Sequence, residues 1–191
     1  MPTLFYLKNF KNMGCSITSG RKVPCKSAVG GIKAIYFADY GTLGDNPTIV
    51  AGEITEFNVP ADTIEWFKFD VKGNSSMETA ITSSRENGTT FYDTTLNMTL
   101  TFQDKATQEE LKLIAHARPH VAVEDYNGNF FLVGLENGGD VNGGTIVTGA
   151  AMGDLTGYTL TVNAQETAPP YFVTSTVITD DASAVQIDPT A

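Results

Sequence analysis

The sequence predicts a mostly β fold, either a β-sandwich or a partly closed barrel, with one flanking α-helix. Three observations predict it: two long stretches in which apolar and polar residues alternate, two Asn-Gly turns between β-type segments, and one segment with helical periodicity. The chain has 191 residues, the size of one domain, and contains no internal repeat.

Strands in the first half of the domain are predicted from short apolar runs that end in Gly, Pro and Asp clusters. These runs are Ile32–Phe37, Ile49–Phe57 and Ile64–Val71. The loop-rich segment before them, from Gly14 to Gly31, combines Gly, Ser, Pro and Lys, which disfavour regular structure.

A hairpin is predicted next, with Met77–Ser83 and Thr90–Phe102 as its strands. Asn87 and Gly88 lie at its tip, and both residue types tolerate the positive φ that a tight turn needs. From Tyr92 to Phe102 the even positions are mostly apolar and the odd positions are polar. This alternation predicts one long strand with an apolar face on the core and a polar face that borders water.

One helix is predicted after the long strand. Thr107 and Glu110 form a capping box, and Leu111 and Ile114 belong to the apolar stripe that would lie on the sheet. Pro119 disfavours helical geometry at the preceding residue and therefore ends the helix.

The second half of the domain begins with a hairpin over His120–Glu136, turned at Asn127-Gly128. Eight of the eighteen glycines follow between Gly134 and Gly157, which predicts an extended excursion. Leu155–Glu166 repeats the alternating pattern of the first long strand, and Tyr171–Ile178 adds an edge strand. The predicted organisation is an N-terminal arm over 1–13, a single domain over 14–178 with extended loops at 84–89 and 138–152, and a C-terminal tail over 179–191.

Charge and composition exclude several classes of function. The chain has 22 acidic and 12 basic residues, and a net charge of −10 argues against a protein that grips nucleic acid through its phosphates. No apolar run approaches the roughly 18 residues that cross a bilayer, so no membrane insertion is predicted. Cys15 and Cys25 either close a small disulfide loop or remain two thiols, and no second pair completes a zinc site.

No pattern in the sequence predicts enzymatic activity, a metal site or a bound cofactor. His116 and His120 have the spacing of a helical metal pair, but Pro119 separates them, and no nucleophile–base arrangement accompanies either. Four further residues match positions of a calcium loop, although Phe130 occupies the position that needs glycine. A hairpin explains these four residues better: Asp125, Asn127, Asn129 and Glu136.

Several short strings resemble phage virion proteins, in particular the major tail tube proteins of tailed bacteriophages. The resemblance extends from about Gly14 to Phe172, and none of the strings is a mechanistic motif. In chain order the strings are Gly14–Arg21, Pro24–Lys26, Val29–Phe37, Ser83–Thr90, Glu110–Ala115, Arg118–His120, Asn127–Glu136 and Gly149–Thr161.

The resemblance implies a structural protein of the virion tail that is assembled in the host cytoplasm. Such proteins form rings of six copies that stack into a tube, with long strands around a channel through which DNA passes without specific binding. The implied partners are further copies of the chain, a tape-measure protein inside the tube, and sheath or tail-terminator proteins. A ring would also hide the sheet edges that long strands otherwise expose.

Residues for these roles follow from the two alternating stretches and the long polar loops. We expect the channel to be lined by eight neutral polar residues, although lumens in the family are often acidic: Thr95, Asn97, Thr99, Thr101, Thr159, Thr161, Asn163 and Gln165. We expect contacts between subunits or rings at six residues: Arg85, Glu86, Asn87, Gly143, Gly144 and Met152.

The alternative is a β-sandwich binding module, such as a head decoration or a receptor-binding part of a virion. Such a module would carry exposed aromatic residues at its loop tips. In this chain the aromatic residues fall mostly inside predicted strands, which favours the tube.

Overall fold

A computed structural model describes residues 19–23, 25–60, 64–71 and 73–179. Two β-sheets pack face to face as a sandwich, and within these residues neither sheet closes into a barrel. The mostly β fold class is therefore confirmed. The predicted arm over 1–13, Cys15, and residues 180–191 of the predicted tail lie outside the described residues, and Cys25 is an exposed thiol.

Within the described residues, the sandwich contains eleven strands and two helices. The strands are β1 (Ile32–Ala38), β2 (Thr48–Val50), β3 (Glu53–Glu56), β4 (Phe67–Asp70), β5 (Ser76–Ser84), β6 (Thr89–Thr101), β7 (His120–Asp125), β8 (Phe130–Val133), β9 (Asp140–Val147), β10 (Gly157–Glu166) and β11 (Tyr171–Val173). The helices are α1 (Lys105–His116) and α2 (Ser175–Thr179).

The two sheets differ in width. The large sheet has seven strands in the order β2-β3-β11-β8-β7-β1-β4, and the small sheet has four in the order β5-β6-β10-β9. All pairs in the small sheet are antiparallel, so its edge strands β5 and β9 run in opposite directions.

The main core lies between the sheets. Alternate residues of β6 and β10, such as Met98 and Val162, pack against the β1 and β7 residues Ile35 and Val123. A second core on the other face of the large sheet is built around Trp66 and its neighbours. The large sheet is thus covered on both faces, and its central strands are nearly continuous apolar runs, whereas the small sheet is covered on one face and its strands alternate.

Helix α1 begins earlier than the predicted capping box. Asp104 is the N-cap, and its carboxylate accepts hydrogen bonds from the N–H of Ala106 at 2.7 Å and of Thr107 at 3.2 Å. The hydroxyl of Thr107 donates to the same carboxylate, and this bond lowers the pKa of Asp104 most. Asp is as good a cap as Thr, and Asp104 lies in the short connection after β6, so the helix begins almost a full turn earlier. Leu111 and Ile114 are buried as predicted.

Three other boundaries differ from the predictions. The predicted strand over Ile49–Phe57 is a tight hairpin, because Ala51 and Gly52 adopt positive φ between β2 and β3. The predicted excursion over 138–152 contains strand β9, which pairs with β10. The predicted edge strand over Tyr171–Ile178 is short β11 followed by the single turn of α2.

Glu124 is a buried carboxylate within the large sheet, and its side chain is 8% exposed. Lys33 Nζ lies 2.5 Å from Oε1, and the Tyr36 hydroxyl donates to Oε2 at 3.0 Å. Burial, followed by the hydrogen bond to Glu124, raises the pKa of Tyr36, and the same carboxylate raises the pKa of Lys33. Both carboxylate oxygens therefore have a donor, as a buried charge requires.

His120 joins two loops at one end of the large sheet. Its Nε2 accepts the Gly41 N–H at 3.0 Å, so its Nδ1 carries the proton and donates to the Gly134 carbonyl at 2.6 Å. The ring also stacks on Tyr40, with centroids 5.2 Å apart. Burial lowers the pKa of His120 below its ordinary value of 6.5, against a smaller raising effect of the bond to Gly134. The native state thus holds the neutral imidazole.

We expect the free energy of unfolding to fall as the pH drops below about 6.5. Below that pH the unfolded chain binds a proton at His120 while the folded chain does not, so stability declines by up to about 1.4 kcal/mol per pH unit until the lowered pKa is reached. Urea unfolding between pH 5 and 8 measures this slope. Burial raises the pKa of Glu166, so this group changes the free energy of unfolding with pH in the opposite direction. The slope of the wild type is therefore compared with the slope of His120→Gln, which isolates the contribution of His120. Equal slopes in both proteins would contradict the assignment.

Among the described residues, no helix has the length and apolar character needed to traverse a bilayer.

Candidate channel face and subunit edges

The polar face of the small sheet collects all eight residues predicted to line a channel. Strands β6 and β10 lie side by side in the middle of this sheet, and their register places Thr95 opposite Asn163 and Asn97 opposite Thr161. Directly opposed residues of antiparallel strands point to the same side. The opposite face of these strands is in the core, so this face is open to solvent in a single copy. That it lines a channel remains a prediction.

Hydrogen bonds between side chains tie the face together across its strands. The amide of Asn163 donates to Asp93 at 2.8 Å, and the Thr161 hydroxyl donates to Asn97 at 3.0 Å. The hydroxyls of Thr145 and Thr159 lie 2.7 Å apart. Many hydrogen-bonding groups of the face are therefore paired with one another, and the side chains that form its surface are short.

The charge of this face is one-sided. None of the four strands of the small sheet contains a lysine or an arginine. Glu78 lies opposite Thr95, and Asp140 lies opposite Asn163, so both acids join Asp93 on the polar face. The eight predicted lining residues are all neutral, because they were taken from β6 and β10 alone and began at Thr95, after Asp93. Side chains in Ser76–Ser84 alternate between the two faces of the sheet, and this alternation would have placed Glu78 on the polar face.

Both edges of the small sheet are open. Within the described part of the chain, β5 pairs with β6 alone and β9 pairs with β10 alone. Strand β5 has nine residues and β9 has eight, so each edge presents a row of backbone groups that a further strand can bind. Neither strand contains Pro or Lys, the residues that commonly block such edges.

The residues predicted to contact other subunits fall in three places. Arg85, Glu86 and Asn87 are exposed at the tip of the β5–β6 hairpin. Gly143 and Gly144 lie within edge strand β9. Met152 is fully exposed in the turn between β9 and β10, which lies at the opposite end of the small sheet from the hairpin tip. The structure thus places these residues at one edge and both ends of the sheet.

Three of the residues that match a calcium loop, Asp125, Asn127 and Asn129, are joined by hydrogen bonds. In the described ranges, no group of three or more His, Cys, Asp or Glu side chains is arranged to hold a metal ion. The carboxylate of Asp125 accepts four hydrogen bonds from the backbone and side-chain amides of Asn127 and Asn129. Burial alone would raise the pKa of Asp125, but these four bonds together lower it. They form the turn of the predicted β7–β8 hairpin.

Comparisons with protein-family models, with curated proteins and with solved structures find no match to this chain.

Proposed function

We propose that this protein is a structural tube subunit, in which copies join through the edges of the small sheet to form rings that stack around a channel for DNA. The polar face of the small sheet would line this channel. The large sheet, its second core and α1 would form the outer part of the wall.

The observation that carries this proposal is the large polar face whose four strands contain no lysine or arginine. A surface that binds DNA supplies Lys and Arg to the phosphates, whereas a surface that lets DNA slide past must avoid them. The acids Glu78 and Asp93 add repulsion over a distance of about 8 Å at physiological salt, whereas Asp140 is paired with Arg118 at 3.4 Å. The basic residues Lys33, Lys68 and Lys112 lie instead in the large sheet and in α1.

The directions of the edge strands support ring closure. In a ring with one rotation axis along the channel, every copy has the same orientation, so β9 of one copy lies beside β5 of the next. These strands run in opposite directions and would continue the antiparallel pattern around the ring. An odd number of antiparallel strands would not allow this.

The dimensions are also suitable. Strands lie about 4.8 Å apart, so six copies of a four-stranded sheet, tilted by about 35–45°, close into a barrel with a backbone diameter of roughly 50 Å. Side chains on the inner face reduce this opening, and those of the polar face are short. The remaining width accommodates a DNA duplex or a tape-measure protein.

Stacking of rings would use the two ends of the small sheet. The hairpin tip with Arg85 and the turn with Met152 lie at opposite ends, so they would meet in a head-to-tail contact. Such a heterologous contact repeats without limit and generates a tube. Asp154 orders the turn, because its carboxylate accepts the N–H groups of Ala150 and Ala151.

Negative-stain microscopy and sedimentation of the full-length protein test this proposal. We expect concentrated protein to form rings or hollow rods with a central opening. Protein that stays monomeric at every concentration and salt condition, or that forms compact oligomers without an opening, would refute it.

A further inference from the structure

A groove between α1 and edge strand β9 has no occupant within the described part of the chain. It has a volume of about 420 Å³ and is lined mainly by apolar residues, including Leu111, Ala115, Val141, Ile146 and Leu160. Gly144, opposite Leu160 on the core-facing side of the sheet, contributes no side chain to the groove. Ile146 also lines the groove and is exposed.

The other edge of the same sheet has an unburied apolar side chain. Ile81 lies on β5 opposite Tyr92, in the phase of β5 that faces the core at Met77. The hairpin extends past the end of the sandwich, so Ile81 is 68% exposed. An apolar side chain on one open edge and an apolar groove on the other are the two halves of a contact between copies.

Barrel geometry relates the two halves. Strands that are tilted by 35–45° shift the register around a barrel, and the shift over four strands is about four to six residues whatever the number of copies. Within one copy, Ser76, Asn97, Thr161 and Gly143 form one row across the small sheet. The row therefore continues from Gly143 into the next copy at a residue four to six positions beyond Ser76. The opposite shift would continue it about four to six positions before Ser76, which lies outside β5.

We propose that Ile81 of each copy inserts into the α1–β9 groove of the next copy. The register shift places Ile81 beside Val141 or Gly144, on the side of the sheet that α1 covers. Gly144 has no side chain that would compete with Ile81, and only glycine fits at this position, because a Cβ would lie 2.6 Å from the Thr159 carbonyl oxygen. This contact rests on the proposed ring and identifies the residues that close it.

The charges near the groove fit the same register. The shift brings the hairpin tip of one copy next to the start of β9 in its neighbour. Arg85 is at the tip, and Asp140, which is paired with Arg118 of its own copy at 3.4 Å, is the first residue of β9. Opposite charges therefore lie at the same end of the contact, where solvent limits each pair to about 1 kcal/mol or less.

Ile81→Asp tests the contact without removing a core side chain. We expect the variant to fold with an unchanged thermal midpoint and to lose ring formation by at least about tenfold in the concentration required, since a buried carboxylate replaces an apolar contact. Val29→Asp is the matched control, because Val29 is 61% exposed on a loop near the β7–β8 turn. Normal assembly of Ile81→Asp, or equal loss in both variants, would overturn the contact.

Cross-linking separates failure of this contact from failure of the ring. Ile81→Cys and Ala115→Cys are made separately in a Cys15→Ser, Cys25→Ser background and mixed with a short thiol cross-linker. We expect covalent dimers only in the mixture. Rings without cross-linked dimers would overturn the Ile81 contact and leave the tube intact, whereas absence of rings in the parent protein would overturn both.

Discussion

Replacing Asn97 by lysine is expected to turn a face that lets DNA pass into one that retains it. Asn97 is exposed in the middle of the polar face, and its side chain accepts a hydrogen bond from Thr161 at 3.0 Å across the sheet. A ring of six copies would present six new cations to the phosphates. Six phosphate contacts change DNA affinity by about 10³ between 50 and 200 mM salt. Co-sedimentation of short duplex DNA with assembled tubes over this salt range measures the effect.

The control for Asn97→Lys carries the same charge elsewhere. Thr176 is exposed on α2, which belongs to the second core on the far side of the large sheet. We expect wild-type tubes and Thr176→Lys tubes to retain little DNA at any salt concentration, and Asn97→Lys tubes to retain it at 50 mM and release it at 200 mM. If Asn97→Lys tubes assemble and retain no more DNA than the control, the polar face does not line the channel.

The long strands could be predicted because local pattern and tertiary environment agree there. The small sheet has one covered face, and alternation in β6 and β10 reports this directly. The β5–β6 and β7–β8 hairpins were likewise predictable, because Gly88 and Gly128 adopt the positive φ that their Asn-Gly turns indicate.

Strand β9 was missed for a physical reason that also concerns the site. Gly143 and Gly144 lower the intrinsic preference for a strand, and the sequence alone favours a loop there. The strand forms because β10 supplies a partner, and Gly144 is required by the close approach of the Thr159 carbonyl. In the proposed ring, a strand of the next copy would pair with β9 and offset the weak strand preference of its glycines.

The α1 cap and the acidic face show the limits of reading each segment separately. Thr107 and Glu110 match a capping box, but Asp104 competes for the same role and is placed by the end of β6. Glu78 and Asp140 come from distant parts of the chain, and the strand order brings them onto the same face as Asp93. Tertiary pairing decided both outcomes.

Gly157→Ala is expected to destabilise the fold by about 3 kcal/mol, at the upper end of the usual cost of overpacking. Gly157 begins β10 and pairs with Thr101 and Val147. A Cβ at Gly157 would lie 2.0 Å from the Leu100 carbonyl oxygen and 3.1 Å from the Thr101 Cα. Because these are backbone atoms, β6 and β10 would have to separate at this end. Urea denaturation with comparison of midpoints measures the loss.

Gly143→Ala is the matched control, because Gly143 is a glycine of the same sheet in the adjacent strand and its Cβ would meet no atom within 4 Å. We expect its stability to remain within about 0.5 kcal/mol of wild type. Gly157→Ala also tests the proposed tube. The pairing of β6 with β10 extends the polar face to the end of the small sheet that is proposed to contact the next ring. Gly157→Ala should therefore lose assembly even where it remains folded. Equal stability of the two variants would mean that the strands do not approach as closely as the structure has them.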